Sequence, residues 1–112
     1  MSTKDIGNTG EDLATQYLLK QGFLLLERNW KTRYCEIDII AKKDATVYFV
    51  EVKTRKNDHF GSGLDYITPK KLQQMSFAAN LWVSAQNWQG QQTLAAISIT
   101  NDTGKIEFTE VL

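Results

Sequence analysis

Three charged side chains in the middle of the chain have the types and spacing of a site that could assist phosphodiester hydrolysis. Asp38 is followed thirteen positions later by Glu51, and Lys53 lies two positions beyond Glu51. Carboxylate oxygens are the ligands that Mg²⁺ and Mn²⁺ prefer. A neighbouring lysine can position a water molecule or neutralise charge on a phosphate. These residue types therefore predict a hydrolytic site assisted by a divalent metal.

The three side chains fall on a predicted β-hairpin. Residues 36–42 and 46–53 are rich in β-branched and aromatic residues and are separated by a short polar break. If Asp44-Ala45 forms the turn, Asp38 lies opposite Glu51 on one face of the sheet. Two carboxylates opposed in this way destabilise the sheet unless a cation lies between them. Asp-Ala departs from the Asn-Gly or Asp-Gly of the tightest turns, so a longer loop with another register remains an alternative.

Two further groups could join this set. Glu11 lies at the edge of the apolar stripe of a predicted helix over residues 5–21, which Gly22 is expected to end. The backbone carbonyl of Val52 lies between Glu51 and Lys53 in the sequence and is a further oxygen ligand. The alternative is structural, because Glu-x-Lys on a strand is common and often forms a cross-strand ion pair on a solvated face.

The remaining elements follow from hydrophobic periodicity and from turn residues. Thr68 and Pro69 are typical of the start of a helix, which the apolar spacing continues to about residue 85. The other predictions are a strand over 23–28, a connection over 29–34, a mobile loop over 54–63 that contains His59, and strands over 92–99 and 105–111, the last at a sheet edge. The order αβββαββ predicts a single α/β domain over residues 1–112, with a mixed sheet and a helix against each side.

Composition excludes several classes of protein and site. The chain has 112 residues, 42% of them hydrophobic and 23% charged, which is typical of a single globular domain. One cysteine and one histidine exclude an intramolecular disulfide and a Cys/His zinc site within one chain. The lack of a long apolar run and of a signal-peptide pattern favours a cytoplasmic protein without a membrane partner.

The charges are segregated along the chain although the net charge is zero. Residues 28–71 contain ten Lys or Arg and six Asp or Glu, a surplus of four positive charges around the predicted hairpin. Such a surplus suits a nucleic-acid partner, but ordinary solvated charges explain a difference of this size equally well. Trp30 is suited either to base stacking or, preferably, to the core. The candidate nucleic-acid contacts are Arg28, Trp30, Lys31, Arg33, Arg55, Lys56, Lys70, Lys71, Gln73 and Gln74.

Several short motifs together resemble one protein family. They are Gly10-Glu11, Asn29-Trp30, Glu36-Ile37-Asp38-Ile39-Ile40, Phe49-Val50-Glu51-Val52-Lys53-Thr54-Arg55 and Phe60-Gly61. This set resembles the YraN/UPF0102 family, itself similar to archaeal Holliday junction resolvases. The spacing of Asp38 and Glu51-Val52-Lys53 resembles the wider PD-(D/E)XK nuclease superfamily. One departure is Cys35, which stands where the family usually has glycine.

The resemblance implies a restriction-endonuclease-like sandwich and assigns roles to the residues. Asp38, Glu51 and Glu11 would be metal ligands, and Lys53 the catalytic lysine. The implied activity is a Mg²⁺- or Mn²⁺-dependent endonuclease acting on structured or branched DNA, with a homodimer expected because junction-cutting relatives act as two-fold dimers. Two alternatives are a nucleic-acid-binding module of the same fold that does not cut, and an adaptor protein that uses its exposed edge strand.

Overall fold

A five-stranded mixed sheet organises the chain in the computed structural model, which describes residues 3–57 and 67–111. The elements are α1 (Thr3–Lys20), β1 (Leu24–Lys31), β2 (Glu36–Lys43), β3 (Thr46–Arg55), α2 (Pro69–Gln86), β4 (Gln91–Thr100) and β5 (Lys105–Glu110). The strands lie in the order β1-β2-β3-β4-β5. Only β3 and β4 are parallel, and α2 lies between them in the sequence, as a crossover between parallel strands requires. The predicted order αβββαββ and the mixed sheet are confirmed.

Each face of the sheet packs against one helix. Ala14 and Leu18 of α1 belong to a core with Ile39 of β2 and Val50 of β3, which we call the α1-side core. The other face forms the α2-side core, whose fully or almost fully buried residues are Ile37, Ile40, Val47, Phe49, Met75, Ala78, Ala79, Trp82 and Leu94. The predicted sandwich with a helix against each side is confirmed.

The β2–β3 hairpin has the register that places Asp38 near Glu51. Ile39 pairs with Val50, and the pairing continues in step to Lys43 and Thr46. The connecting turn is Asp44-Ala45 alone, so the longer loop is wrong. Asp44 has a positive φ of 55°, a conformation that aspartate tolerates better than most residues.

The first strand extends beyond its predicted end. β1 continues to Lys31, so the prediction of a connection from residue 29 is wrong. Asn29 has a φ of 54°, and Trp30 beyond it is half-buried against the α2-side core. Trp30 therefore packs against the core, as the core interpretation predicts.

The helix ends follow the signals in the sequence. Gly22 has a φ of 90°, and the N–H groups of Gly22 and Phe23 donate to the carbonyls of Leu19 and Leu18 at 3.1 and 3.0 Å, the Schellman pattern. At the other helix the Thr68 hydroxyl accepts the N–H of Lys71 at 3.1 Å.

The loop predicted over 54–63 falls partly in strand β3, which includes Thr54 and Arg55. Residues 58–66, with His59, lie outside the described residues. Within the described part of the chain, neither helix is long and apolar enough to span a lipid bilayer.

Candidate active site

Asp38 lies where strand β2 departs from regular alternation. Ile37 and Ile40 both pack in the α2-side core, whereas Ile39 packs in the α1-side core. Strict alternation would put Ile37 and Ile39 on the same face. This irregularity in β2 lies beside Asn29 of β1. Asn29 falls between consecutive residue pairs of the β1–β2 ladder, and its backbone is left-handed.

The carboxylate of Asp38 is attached to the neighbouring strand. Its Oδ2 accepts the backbone N–H of Val52 at 2.7 Å, just beyond the last paired residues of the β2–β3 ladder. Burial raises the pKa of Asp38 to about 7, and the negative charge of Glu51 adds to the increase. The hydrogen bond from Val52 acts in the opposite direction because it favours the charged carboxylate.

Glu51 is the second carboxylate of the site, and its side chain is only 15% exposed. Its Oε1 lies 3.4 Å from Nζ of Lys71, at the start of α2. Its Oε2 is buried and has no hydrogen-bond partner among residues 3–57 and 67–111. Burial raises the pKa of Glu51, while the positive charges of Lys71 and Lys53 oppose this increase. Glu51 therefore offers one buried oxygen that could accept a further ligand.

Glu11 approaches the site from α1. A Cβ added to Gly10 would lie 2.5 Å from Oγ1 of Thr54, so the helix comes against β3 at a point where only glycine fits without a shift. The negative charge of Glu11 contributes to the raised pKa of Asp38. Oε2 of Glu11 lies 3.4 Å from a guanidinium nitrogen of Arg28. Glu11 is thus brought to the site and ion-paired with Arg28.

The carboxylates in the described residues do not supply a full set of ligands for a metal ion. Among the described residues, no group of three or more His, Cys, Asp or Glu side chains is arranged to hold a metal ion. Asp38 and Glu51 are neighbours, and Glu11 faces Arg28. Val52, predicted to supply its carbonyl, donates its N–H to Asp38. The donor set fits an ion that takes one or two carboxylates and completes its shell with waters and a phosphate, as Mg²⁺ commonly does.

Two lysines flank Glu51, and sequence reasoning assigned only one of them to this site. Lys53 is exposed on β3, and its positive charge acts on Glu51. Lys71 was predicted as a nucleic-acid contact, but the structure pairs it with Glu51. The sequence did contain a signal for such a pairing. The first turn of α2 has two lysines and no acidic residue, whereas acidic residues are usually favoured at a helix N-terminus.

Cys35 and Glu36 belong to the same neighbourhood, although neither was predicted as a site residue. Burial raises the pKa of the Cys35 thiol; the positive charge of Lys71 opposes this increase, and the carboxylates of Glu51 and Asp38 add to it. Glu36 contributes to the raised pKa values of both Asp38 and Glu51. The site therefore has an excess of negative charge in a poorly hydrated position.

The predicted nucleic-acid contacts differ in their surroundings. Arg28 is engaged by Glu11 and by Asp12, whose Oδ1 lies 2.7 Å from the guanidinium. Nε of Arg55 donates to the Thr100 hydroxyl at 3.4 Å. Lys31, Arg33 and Lys56 are exposed.

Three more of the predicted contacts line a single groove. Lys70, Gln73 and Gln74 lie there together with Tyr34 and Phe77, two aromatic residues that the sequence interpretation did not select. The groove therefore brings together three of the predicted contacts with two aromatic rings.

Comparison with known sequences assigns the chain to a family. The sequence model of the uncharacterised protein family UPF0102 matches residues 10–102. The chain belongs to the UPF0102 family. This span contains Glu11, Asp38, Glu51, Lys53 and Lys71, so the whole site lies within the part that matches.

Individual relatives agree with this assignment. A UPF0102 protein of Vibrio parahaemolyticus is 47% identical over 85 residues, 76% of this chain and 70% of the relative. One from Syntrophomonas wolfei is 38% identical over 110 residues, 97% of this chain and 96% of the relative. A third, from Fusobacterium nucleatum, is 37% identical over 89 residues, 80% and 75% of the two chains. These names state a family and no activity, so a function for this UPF0102 chain has to be argued from its site.

Proposed function

We propose that this UPF0102 protein is a metal-dependent endonuclease that hydrolyses phosphodiesters in structured or branched DNA. The observation that carries the proposal is the pairing of Asp38 with Glu51 in a poorly hydrated position. Both carboxyl groups have a raised pKa, and one oxygen of Glu51 is buried without a partner in the described part of the chain. Perturbed carboxyl groups that converge from separate strands are typical of functional sites.

This arrangement destabilises the folded protein, and a bound ligand would relieve the destabilisation. A buried polar atom without a hydrogen bond costs about 1–3 kcal/mol, and two neighbouring carboxylates also repel each other. Lys71 supplies one positive charge beside Glu51, which offsets only part of the combined negative charge of the two carboxylates. A divalent cation between Asp38 and Glu51 would offset both costs.

The expected cofactor is Mg²⁺ or Mn²⁺, held by Asp38 and Glu51 with water and a DNA phosphate as the remaining ligands. Such an ion polarises the phosphodiester and lowers the pKa of a bound water. We assign Glu11 to the edge of the site, where its pairing with Arg28 keeps a third carboxylate near Asp38.

The remaining roles belong to the lysines and to the backbone of β3. Lys53 is exposed two residues beyond Glu51, where it can neutralise charge that builds on the phosphate. The N–H of Val52 orients the Asp38 carboxylate and opposes part of the increase in its pKa, because the hydrogen bond favours the charged form.

Other features support the same assignment. The order αβββαββ and the relative positions of Asp38, Glu51 and Lys53 are similar to the PD-(D/E)XK nucleases. The surplus of positive charge in residues 28–71 suits DNA as the partner. We further expect a two-fold homodimer, because cutting both strands of a branched substrate needs two sites, and a cytoplasmic location, because the single Cys35 suits a reducing compartment.

A second candidate is a nucleic-acid-binding module that does not cut. It is favoured by the pairing of Glu11 with Arg28 and by the lack of a three-carboxylate group in the described residues. On this alternative the protein binds branched DNA equally well with and without a divalent metal.

A cleavage assay separates the two candidates. Labelled duplex, flap and four-way-junction DNA are incubated with the protein in Mg²⁺, Mn²⁺ or EDTA. We expect cleavage only with metal, and a loss of about a hundredfold or more in Asp38→Asn, Glu51→Gln and Lys53→Met. Lys20→Met, at an exposed lysine at the end of α1, is the matched control and should cut normally. Metal-independent binding without cleavage of any substrate would exclude the nuclease.

A further inference from the structure

The exposed side of α2 carries an aromatic groove that the proposed chemistry does not use. Its lining residues on the helix are Lys70, Gln73, Gln74 and Phe77, which follow the spacing of one helical face. The opposite face of α2, with Met75, Ala78, Ala79 and Trp82, is buried against the sheet. The groove has a volume of about 470 Å³, within the range of about 300–1,000 Å³ typical of small-ligand sites.

Two aromatic rings in the groove are unusually exposed. Phe77 is 48% exposed and Tyr34 is 60% exposed, and their rings meet edge to face with centroids 5.5 Å apart. Large apolar side chains on a surface commonly mark a contact site when they occur together. The two rings therefore form an aromatic platform open to solvent.

The backbone around Tyr34 is held by a tight turn between β1 and β2. The Thr32 hydroxyl accepts the N–H groups of Tyr34 and Cys35 at 3.1 and 3.0 Å, and the N–H of Thr32 donates to the Cys35 carbonyl at 2.8 Å. A position fixed in this way loses little conformational entropy when a ligand binds.

Two lysines at the start of α2 lie where the groove approaches the carboxylate site. Lys70 lines the groove, and the adjacent Lys71 contacts Glu51, while the first turn of α2 contains no acidic residue. Partial positive charge at the helix N-terminus adds to that of the lysines. Cys35, the residue after Tyr34, feels the charges of Glu51 and Asp38. The groove and the carboxylate site therefore use neighbouring residues of the same two segments, the start of α2 and the turn over residues 32–35.

We propose that this groove binds an unpaired nucleotide next to the phosphodiester at the carboxylate site. Exposed rings stack on the face of a base, which is accessible when the base is unpaired. The amides of Gln73 and Gln74 can both donate to and accept from base edges, and Lys70 can contact a phosphate. The inference rests on the proposed nuclease function and deepens it, because branch points and flaps supply such unpaired bases beside a duplex.

The test measures binding in EDTA, so that it does not depend on cleavage. The probes are a short fluorescent oligothymidylate containing one 2-aminopurine and a blunt duplex of the same length. We expect tighter binding of the single strand, with 2-aminopurine fluorescence altered by stacking. Phe77→Leu and Tyr34→Leu should each weaken binding about five- to a hundredfold, while Tyr34→Phe keeps the ring and should stay within about threefold.

Leu19→Ala is the matched control, because Leu19 is 46% exposed on α1, away from the groove. It should bind the oligonucleotide as the wild type does. Tyr34→Leu lies in a surface turn and provides a second variant if Phe77→Leu does not fold. Equal binding of duplex and single strand, or unchanged affinity in both leucine variants, would overturn the inference. So would a wild-type dimer that Phe77→Leu converts to monomer without affecting DNA affinity, since the groove would then bind a second copy of the chain.

The two proposals fail in different ways. Ring-dependent binding of the oligonucleotide in EDTA, with no cleavage in any metal, would leave the groove assignment standing and reject the nuclease. Metal-dependent cleavage that is unaffected in Phe77→Leu and Tyr34→Leu would do the reverse.

Discussion

The raised pKa of the Asp38 carboxyl group leads to a quantitative prediction about the stability of the protein. Burial, together with the charge of Glu51, raises its pKa in the folded protein from an ordinary value of 3.8 to about 7. The folded state therefore binds a proton more tightly than the unfolded state. Stability contributed by this group is present below about pH 4 and is lost as the pH rises through about 7.

The size of the effect follows from the two pKa values. Each pKa unit corresponds to about 1.4 kcal/mol, so the difference between 3.8 and about 7 amounts to about 4 kcal/mol at alkaline pH. Asp38→Asn removes the charge and keeps an oxygen that can accept the N–H of Val52, although more weakly than a carboxylate does. We expect the variant to be more stable than the wild type by about 2–4 kcal/mol near pH 8 and nearly equal to it near pH 4.

Urea unfolding in EDTA, at several pH values between these limits, measures this difference directly. Asp102→Asn is the control, because Asp102 is an exposed carboxyl in the turn between β4 and β5, and it should change stability by less than about 0.5 kcal/mol at every pH. A variant at Asp38 that is destabilised equally at all pH values would refute the reasoning. It would mean that the charged form of Asp38 is not disfavoured in the folded protein.

Three further predictions follow from neighbouring contacts. Glu51→Gln should lower the pKa of Asp38, measured by carbon NMR of its carboxyl group, and an unchanged pKa would mean that the charge of Glu51 does not perturb Asp38. Gly10→Ala should destabilise the wild type by about 1 kcal/mol or more, because the added methyl would meet the Thr54 hydroxyl. In a Thr54→Ala background the same substitution should be stabilising, since that hydroxyl is gone and alanine favours helix. Thermal melts in which Gly10→Ala changes stability in the same direction in both backgrounds would contradict this. Thr68→Ala should cost about 1 kcal/mol through loss of the α2 N-cap, and a melt that matches the wild type would show that the cap contributes nothing.

Local sequence signals were sufficient for the elements and for the central hairpin. Apolar periodicity indicated both helices, and Thr68, Pro69 and Gly22 marked their ends. The register of β2 and β3 was predictable because a two-residue turn leaves one way to pair the strands, and Ile39 does pair with Val50 as that turn requires. The proximity of Asp38 and Glu51 therefore followed from short-range reasoning.

The parts that sequence reasoning missed depend on contacts between distant segments. Strand β1 continues past its apolar run because Trp30 packs in the α2-side core beyond the left-handed Asn29. The pairing of Lys71 with Glu51 depends on how α2 lies on the sheet, which periodicity does not specify. Arg28 likewise faces Glu11 only after α1 has packed against β1. In each case the local pattern identified the residue, and the tertiary fold determined which residue it contacts.

Calorimetric titration of Mn²⁺ into the purified protein tests the central claim most directly. The wild type should bind the ion specifically, Asp38→Asn and Glu51→Gln should both lose that binding, and Asp102→Asn should retain it. Raising the pH through about 7 should strengthen binding in the wild type, since Asp38 has to lose its proton to act as a ligand. Failure of the wild type to bind Mn²⁺, alone or with uncleaved junction DNA present to supply a phosphate ligand, would contradict the assignment of this site to a metal-dependent nuclease.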